Sequence, residues 1–189
     1  WGEDSAVYQN RVLGQFCTAD QDGVIPLAWV EAAVERWYEW AERGERGDLT
    51  TVGVDVARSG RDQTVFAPRF GDFIGELERH SYADTMQTVG RLVRVLEKHT
   101  GARASVDVIG IGAGVVDRLR EQGIKVDAFN ASESSGATDR SGELRFLNRR
   151  AAAWWRVRDL LDPSNNPTIG LPPDDRLIGR SPAMKALLQ

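Results

Sequence analysis

The strongest constraint in this sequence is a hydrophobic period that changes repeatedly along its middle. Thr51–Ala57 and Gln63–Phe70 are short runs rich in β-branched and aromatic residues, separated by the polar Arg58–Asp62 turn. Two such runs around a glycine-containing turn read as a hairpin. Phe73–Ser81 continues as a third strand. Met86, Val89, Leu92, Val93 and Leu96 then fall three and four apart, the spacing of one helix face. Ala104–Ile109 returns to a strand, Gly110–Gly114 leads into a helix through Leu119, and Lys125–Asn130 is a fifth strand. Phe146–Leu161 is a further helix, stopped by Asp162–Pro167. Antiparallel strands followed by alternating helices and strands fold as an α/β mixed sheet flanked by helices. With 189 residues, 41% of them hydrophobic and 28% charged, the chain can bury one real core.

Upstream, Trp29, Val30, Ala33, Val34, Trp37, Tyr38 and Ala41 form an aromatic helical stripe ended by Gly44 and Gly47. Packing is the expected use of that stripe. Residues 1–48 therefore read as an N-terminal linker and amphipathic helix, and 49–189 as the domain proper. Ala131–Gly142 is small and polar, and reads as a mobile loop. No apolar run reaches the roughly 18 residues of a membrane span. The single cysteine, Cys17, allows neither an internal disulfide nor a cysteine-rich zinc site, and fits a reducing intracellular setting.

Charge gives a divided message. The formal net charge of −4 counts against a nucleic-acid partner. Yet residues 140–158 hold Arg140, Arg145, Arg149, Arg150, Arg156 and Arg158 against Glu143 alone, a local charge of +5. Phosphate neutralisation needs a basic patch rather than a basic whole. Arg58 and Arg61 add two guanidinium groups in the hairpin turn. For Arg156 and Arg158 a solvated helix face is an equal reading.

Two carboxylates break the pattern of their strands. Asp55 lies between Val54 and Val56, and Asp107 between Val106 and Val108. Aspartate is depleted in strands, and burying a carboxylate is costly unless it is paired or binds a metal. On neighbouring strands the two would converge on one site for hard cations such as Mg²⁺ or Mn²⁺. Two ions about 4 Å apart can activate water and stabilise the leaving oxygen in phosphodiester cleavage. The bland alternative is a pair of aspartates that face solvent or meet arginines. A competing reading takes Gly110, Gly112 and Gly114, with Asp127 ending the next strand, as a dinucleotide loop. That fingerprint requires a glycine where Val115 stands. The chain has no Gly-x-x-x-x-Gly-Lys-Ser/Thr motif, so it is not itself a P-loop ATPase. His80 and His99 have no metal-ligand neighbours in sequence and read as ordinary surface or capping histidines.

Several segments, in order along almost the whole chain, resemble the C-terminal nuclease domain of tailed-phage large terminase subunits. They are Tyr8–Phe16, the Trp29–Gly44 helix, Val52–Thr64, Val106–Leu119, Asn148–Trp155 and Leu171–Asp175. The resemblance implies an RNase H-like fold and a two-metal endonuclease that cuts concatemeric phage DNA during packaging. It makes Asp55 the first-strand metal ligand and Asp107 the second acidic ligand, with Asp62 as an auxiliary carboxylate. Arg58, Arg145, Arg149 and Arg150 would hold the DNA backbone. The family's third ligand comes from a Ser-Pro-Asp motif, and here Ala183 stands in the aspartate's place. Asp174 and Asp175 are the alternatives. In that family a packaging ATPase precedes the domain, so the chain reads as an excised nuclease portion. Two Mg²⁺ or Mn²⁺ ions, double-stranded DNA, the ATPase domain, the small terminase subunit and the portal are the implied cofactors and partners. The host-cell cytoplasm is the implied setting, with no membrane. Two rivals stand beside this reading: a noncatalytic RNase H-like DNA-binding module and a dinucleotide-binding enzyme.

Overall fold

The computed structural model of the protein describes residues 24–44, 46–57 and 62–173. Helix α1 (Leu27–Arg43) precedes strands β1 (Leu49–Asp55), β2 (Thr64–Phe70), β3 (Phe73–Ile74) and β4 (Glu78–His80). Helix α2 (Thr85–Lys98), strand β5 (Arg103–Asp107), helix α3 (Gly112–Glu121) and strand β6 (Val126–Phe129) follow. Helix α4 (Arg149–Leu161) and a single 3-10 turn at Pro163–Asn165 complete the described elements.

The strands form one mixed six-stranded sheet in the order β3-β2-β1-β5-β6, with β4 also paired to β2. β1 and β2 are the expected antiparallel hairpin. β5 runs parallel to β1, and β6 parallel to β5. Parallel neighbours need a crossover, and α2 and α3 supply it. Side chains alternate across a strand, so Val52, Val54, Ala104 and Val106 share one face. Val89 and Leu92 of α2 and Val115, Val116 and Leu119 of α3 pack on them. Burying each such Val or Leu stabilises the fold by about 1.5–3 kcal/mol. On the other face Ala67 and Ile74 meet Ala33 of α1, Val157 and Leu161 of α4, and Ile169 and Leu171.

The aromatic stripe of α1 is packing, as expected. The Trp37 indole N–H donates to the Ile74 carbonyl at 2.7 Å, and Trp40 stacks on Phe73 with ring centroids 4.9 Å apart. Between helix and strand runs the segment after the 3-10 turn. Ile74 N–H donates to Gly170 O at 3.0 Å, and Leu171 N–H to Ala33 O at 3.1 Å. Among the described residues no helix is long and apolar enough to cross a membrane.

The sheet departs from the sequence expectation at the third strand. Phe73–Ser81 is not continuous but breaks into β3 and β4. Phe66 pairs with Glu78 and Arg69 with Ile74, so three steps along β2 face four along the edge. The slip lies beside Pro68, which has no N–H for a ladder. Its carbonyl instead accepts from Gly75 N–H at 2.7 Å.

Ala131–Gly142, read as a mobile loop, contains no helix or strand, and it has internal order. It is one arm of an irregular ribbon, closed by bridges Ser134–Asn148 and Thr138–Arg145. Asp139 organises the tip: its carboxylate accepts from Leu144 N–H at 3.0 Å and from the Ser141 hydroxyl at 2.8 Å. The ribbon also delays α4, which starts at Arg149 rather than Phe146. Asn148 is the cap, its side chain accepting from Ala151 N–H at 2.9 Å.

Two outcomes test this packing. At Gly170 a Cβ would run into the Phe73 ring and come within 3.2 Å of Trp37 Cα. Gly170→Ala is expected to cost about 1–3 kcal/mol, read as a lowered urea midpoint at unchanged slope. The Ser141 hydroxyl, aided by backbone N–H groups, holds the Asp139 carboxyl below its usual range. Its support for the tip is therefore complete above the unfolded value of about 3.9 and is lost as pH falls through the lower folded one. Asp139→Ala should speed amide exchange at Leu144 near neutral pH, and the two proteins should converge in strong acid.

Candidate metal site and its arginine rim

The parallel pairing of β1 with β5 sets Val54 beside Val106. One residue further, Asp55 and Asp107 end the two strands side by side. Because Val54 and Val106 point into the α2/α3 core, alternation turns both aspartates to the opposite face. Both are half-buried, within reach of solvent. The sequence expectation that these two residues converge is met at the backbone level, at the carboxyl end of the sheet.

Asp107 is mounted from its own turn. Its Oδ1 accepts from Ile109 N–H at 2.9 Å, which leaves Oδ2 for a cation. The turn behind it depends on two glycines. Gly110 has φ +88°, and a Cβ at Gly112 would overlap the Asp107 carbonyl oxygen. The glycine spacing weighed as a dinucleotide loop therefore has a packing reason, since it lets α3 start directly beneath Asp107. Asp127 lies on the same face two residues back from the edge, where Ser105 Oγ donates to its Oδ2 at 3.1 Å.

Asp62 is exposed, two residues before β2. Since Asp55 pairs with Val65, Asp62 lies at the same end of the sheet. Among the described residues no three His, Cys, Asp or Glu side chains gather into a metal cluster. What the fold brings together is the Asp55–Asp107 pair. Arg58, Asp174, Asp175 and Ala183 lie outside the described residues. Two adjacent carboxylates offer hard oxygen donors, the chemistry that Mg²⁺ and Mn²⁺ prefer. A cation there would also offset the repulsion between them.

The arginines separate into two groups. Arg149, the first residue of α4, lies over the Phe129 ring at 4.7 Å and forms an ion pair with Glu133 at 3.2 Å. Phe129 is the register partner of Asp107, so Arg149 sits at the carboxylate edge. Sequence reasoning singled out Arg149 but missed Phe129, its platform. Arg145 and Arg150 are exposed on either side of it in the chain. Arg158 belongs elsewhere: its guanidinium lies 4.8 Å from the Trp155 ring and 5.3 Å from Trp29, next to Asp159. It ties α4 to α1 and is not a solvated helix face. Arg140 likewise reaches Asp159, at 3.9 Å, and Asn165. Arg156 is exposed. His80 stacks on Tyr82 at 5.1 Å and meets Glu78 at 3.5 Å, half-buried in β4 rather than at the surface or a cap, whereas His99 caps α2 as read.

No protein-family model matches the chain, and no curated protein matches it. Among solved structures, it is similar to the nuclease domain of the large terminase subunit gp2 of bacterial virus Sf6. Identity is 21% over 87% of this chain and 77% of that one, with a TM-score of 0.59. A point variant of the Sf6 domain with calcium matches at 21% identity over 87% and 78% of the two chains, TM-score 0.59. The same variant with manganese matches at 20% identity over 87% and 77%, TM-score 0.56. The chain thus has the RNase H-like fold of phage terminase nuclease domains.

Proposed function

We propose that the protein is a metal-dependent endonuclease that cuts concatemeric double-stranded phage DNA during genome packaging. The observation that carries this reading is the β1–β5 register, which sets Asp55 and Asp107 together at the open end of an RNase H-like sheet. Asp55 and Asp107 would hold divalent ions, Mg²⁺ or Mn²⁺, with Asp62 as an auxiliary carboxylate. Ions bound there supply Lewis-acid activation of water and stabilisation of the leaving oxygen, the chemistry of two-metal hydrolysis. Ile109 N–H keeps the Asp107 carboxylate oriented for that task. Arg149, steadied by Phe129, together with Arg145, Arg150 and Arg58, would neutralise the phosphates flanking the cut. Backbone contacts of this kind carry no base information, so cutting is expected to show little base-read preference. The Sf6 proteins are nuclease domains of a terminase large subunit. By that likeness the packaging ATPase domain, the small terminase subunit and the portal are this protein's proposed partners, in the host-cell cytoplasm.

A supercoiled-plasmid assay with Mg²⁺ or Mn²⁺ tests the assignment. Asp55→Ala and Asp107→Ala should each slow nicking at least about a hundredfold, the loss of a few kcal/mol of charge stabilisation. Cutting at the parent rate in either variant would remove that residue from the site. Salt-sensitive binding without metal-dependent cutting would instead select the noncatalytic module. For the rim, Arg145→Ala should lower the salt dependence of DNA binding by roughly one phosphate contact, read from the slope of log K against log salt.

A further inference from the structure

Leu147 is the most exposed large hydrophobic side chain among the described residues, at 85%. It stands one residue before Asn148, the cap of α4. An apolar residue in that position ordinarily packs on the fourth residue of the helix. In α4 the fourth residue is Ala152, which offers only a methyl group.

The backbone on both sides of Leu147 is nevertheless fixed. Phe146 N–H donates to Ala137 O at 3.4 Å, and the Phe146 ring packs against Trp155 at 5.9 Å. Asn148 bridges to Ser134 while its side chain caps the helix. Exposure alternates along this arm: Arg145 and Leu147 face out, and Phe146 faces in. An apolar side chain is thus presented on a firm mount. Residues 145–150 read Arg-Phe-Leu-Asn-Arg-Arg; Arg149 is paired with Glu133, and Arg145 and Arg150 are exposed cations on either side of Leu147. A polyanion fits that surround, whereas the apolar face of a protein partner does not. Arg149, two residues on, reaches the Phe129 ring beside Asp107.

We infer that Leu147 is an apolar wedge that enters the minor groove of duplex DNA while Arg145 and Arg150 hold the phosphates beside it. Leucine is one of the side chains that part base steps in this way, and the kink it makes brings more backbone against the protein. The inference rests on the DNA-acting reading above and adds to it a contact that deforms the substrate. It also gives the protein a preference for flexible pyrimidine–purine steps without reading base edges.

The test uses the whole 189-residue chain and duplexes carrying 2-aminopurine at successive steps, with a chelator present so that nothing is cut. The parent should raise the fluorescence at one step, and Leu147→Met should preserve the rise. Leu147→Ala should abolish it and weaken binding about tenfold, with the salt slope unchanged. Leu147 is exposed, so the variant should keep the parent circular dichroism spectrum. A rise and affinity unchanged in Leu147→Ala would overturn the inference, as would a parent that raises fluorescence at no step. So would normal DNA signals with lost association to a packaging ATPase domain, which would make Leu147 a protein contact. A wedge signal without any cutting in metal would count against the nuclease reading alone.

Discussion

Everything at the candidate site depends on two like charges being held on neighbouring strands. Carboxylates on parallel strands about 5 Å apart repel by about 3 kcal/mol at an effective dielectric near 20. The fold holds them because the valine before each aspartate is locked in the α2/α3 core. Val54 and Val106 are both fully buried. Apolar burial on one face therefore fixes the position of the carboxylates on the other. The hairpin, the crossovers and the Gly112 approach all serve this one register.

The order of elements was legible because it rests on period alone. Strand and helix patterns from Thr51 to Leu161 survive with small shifts, since each element buries one side of its own periodic stripe. Asp55 and Asp107 were legible for the same reason, as interruptions of a period. The misreadings have local causes. Pro68 removed a donor from β2, and the edge strand broke beside it, an effect felt across the ladder rather than along the chain. The loop at Ala131–Gly142 was read as a loop, but its internal order was not legible, because that order comes from Asp139 and from pairing with residues that also lie outside any regular period. Phe129 could not be recognised as a platform for Arg149, because 20 residues separate the two in sequence.

The net charge is a further case in which the sum conceals the arrangement. The arginine stretch that argued for a phosphate contact is not one surface. Arg158 and Arg140 are taken up by Asp159, and Arg158 also by two tryptophans, so they hold α4 in place. Arg149 lies at the carboxylate end, over Phe129 and paired with Glu133, and Arg145 and Arg150 are exposed on either side of it in the chain. A sequence count cannot make that division, because the helical turn and the position of α1 decide which side of α4 each guanidinium meets. The same applies to the glycines after β5: their spacing invites a nucleotide, and the contact that explains Gly112 is with the strand's own carbonyl.

Along β2 the margin of the sheet is shared by β3 and β4, and the two stretches are managed differently. At β3 the ladder groups of Ile74 are already taken, its N–H by Gly170 and its carbonyl by the Trp37 indole. At β4 the rim is only three residues long and carries Glu78, Arg79 and His80. β3 has no free Ile74 amide to offer a strand from another molecule, and β4 is short and charged, a rim of the kind by which proteins discourage such recruitment. The β2 side of the sheet is thereby closed to extension by its own fold, while Asp55 and Asp107 stand at the ends of the central strands rather than along that margin.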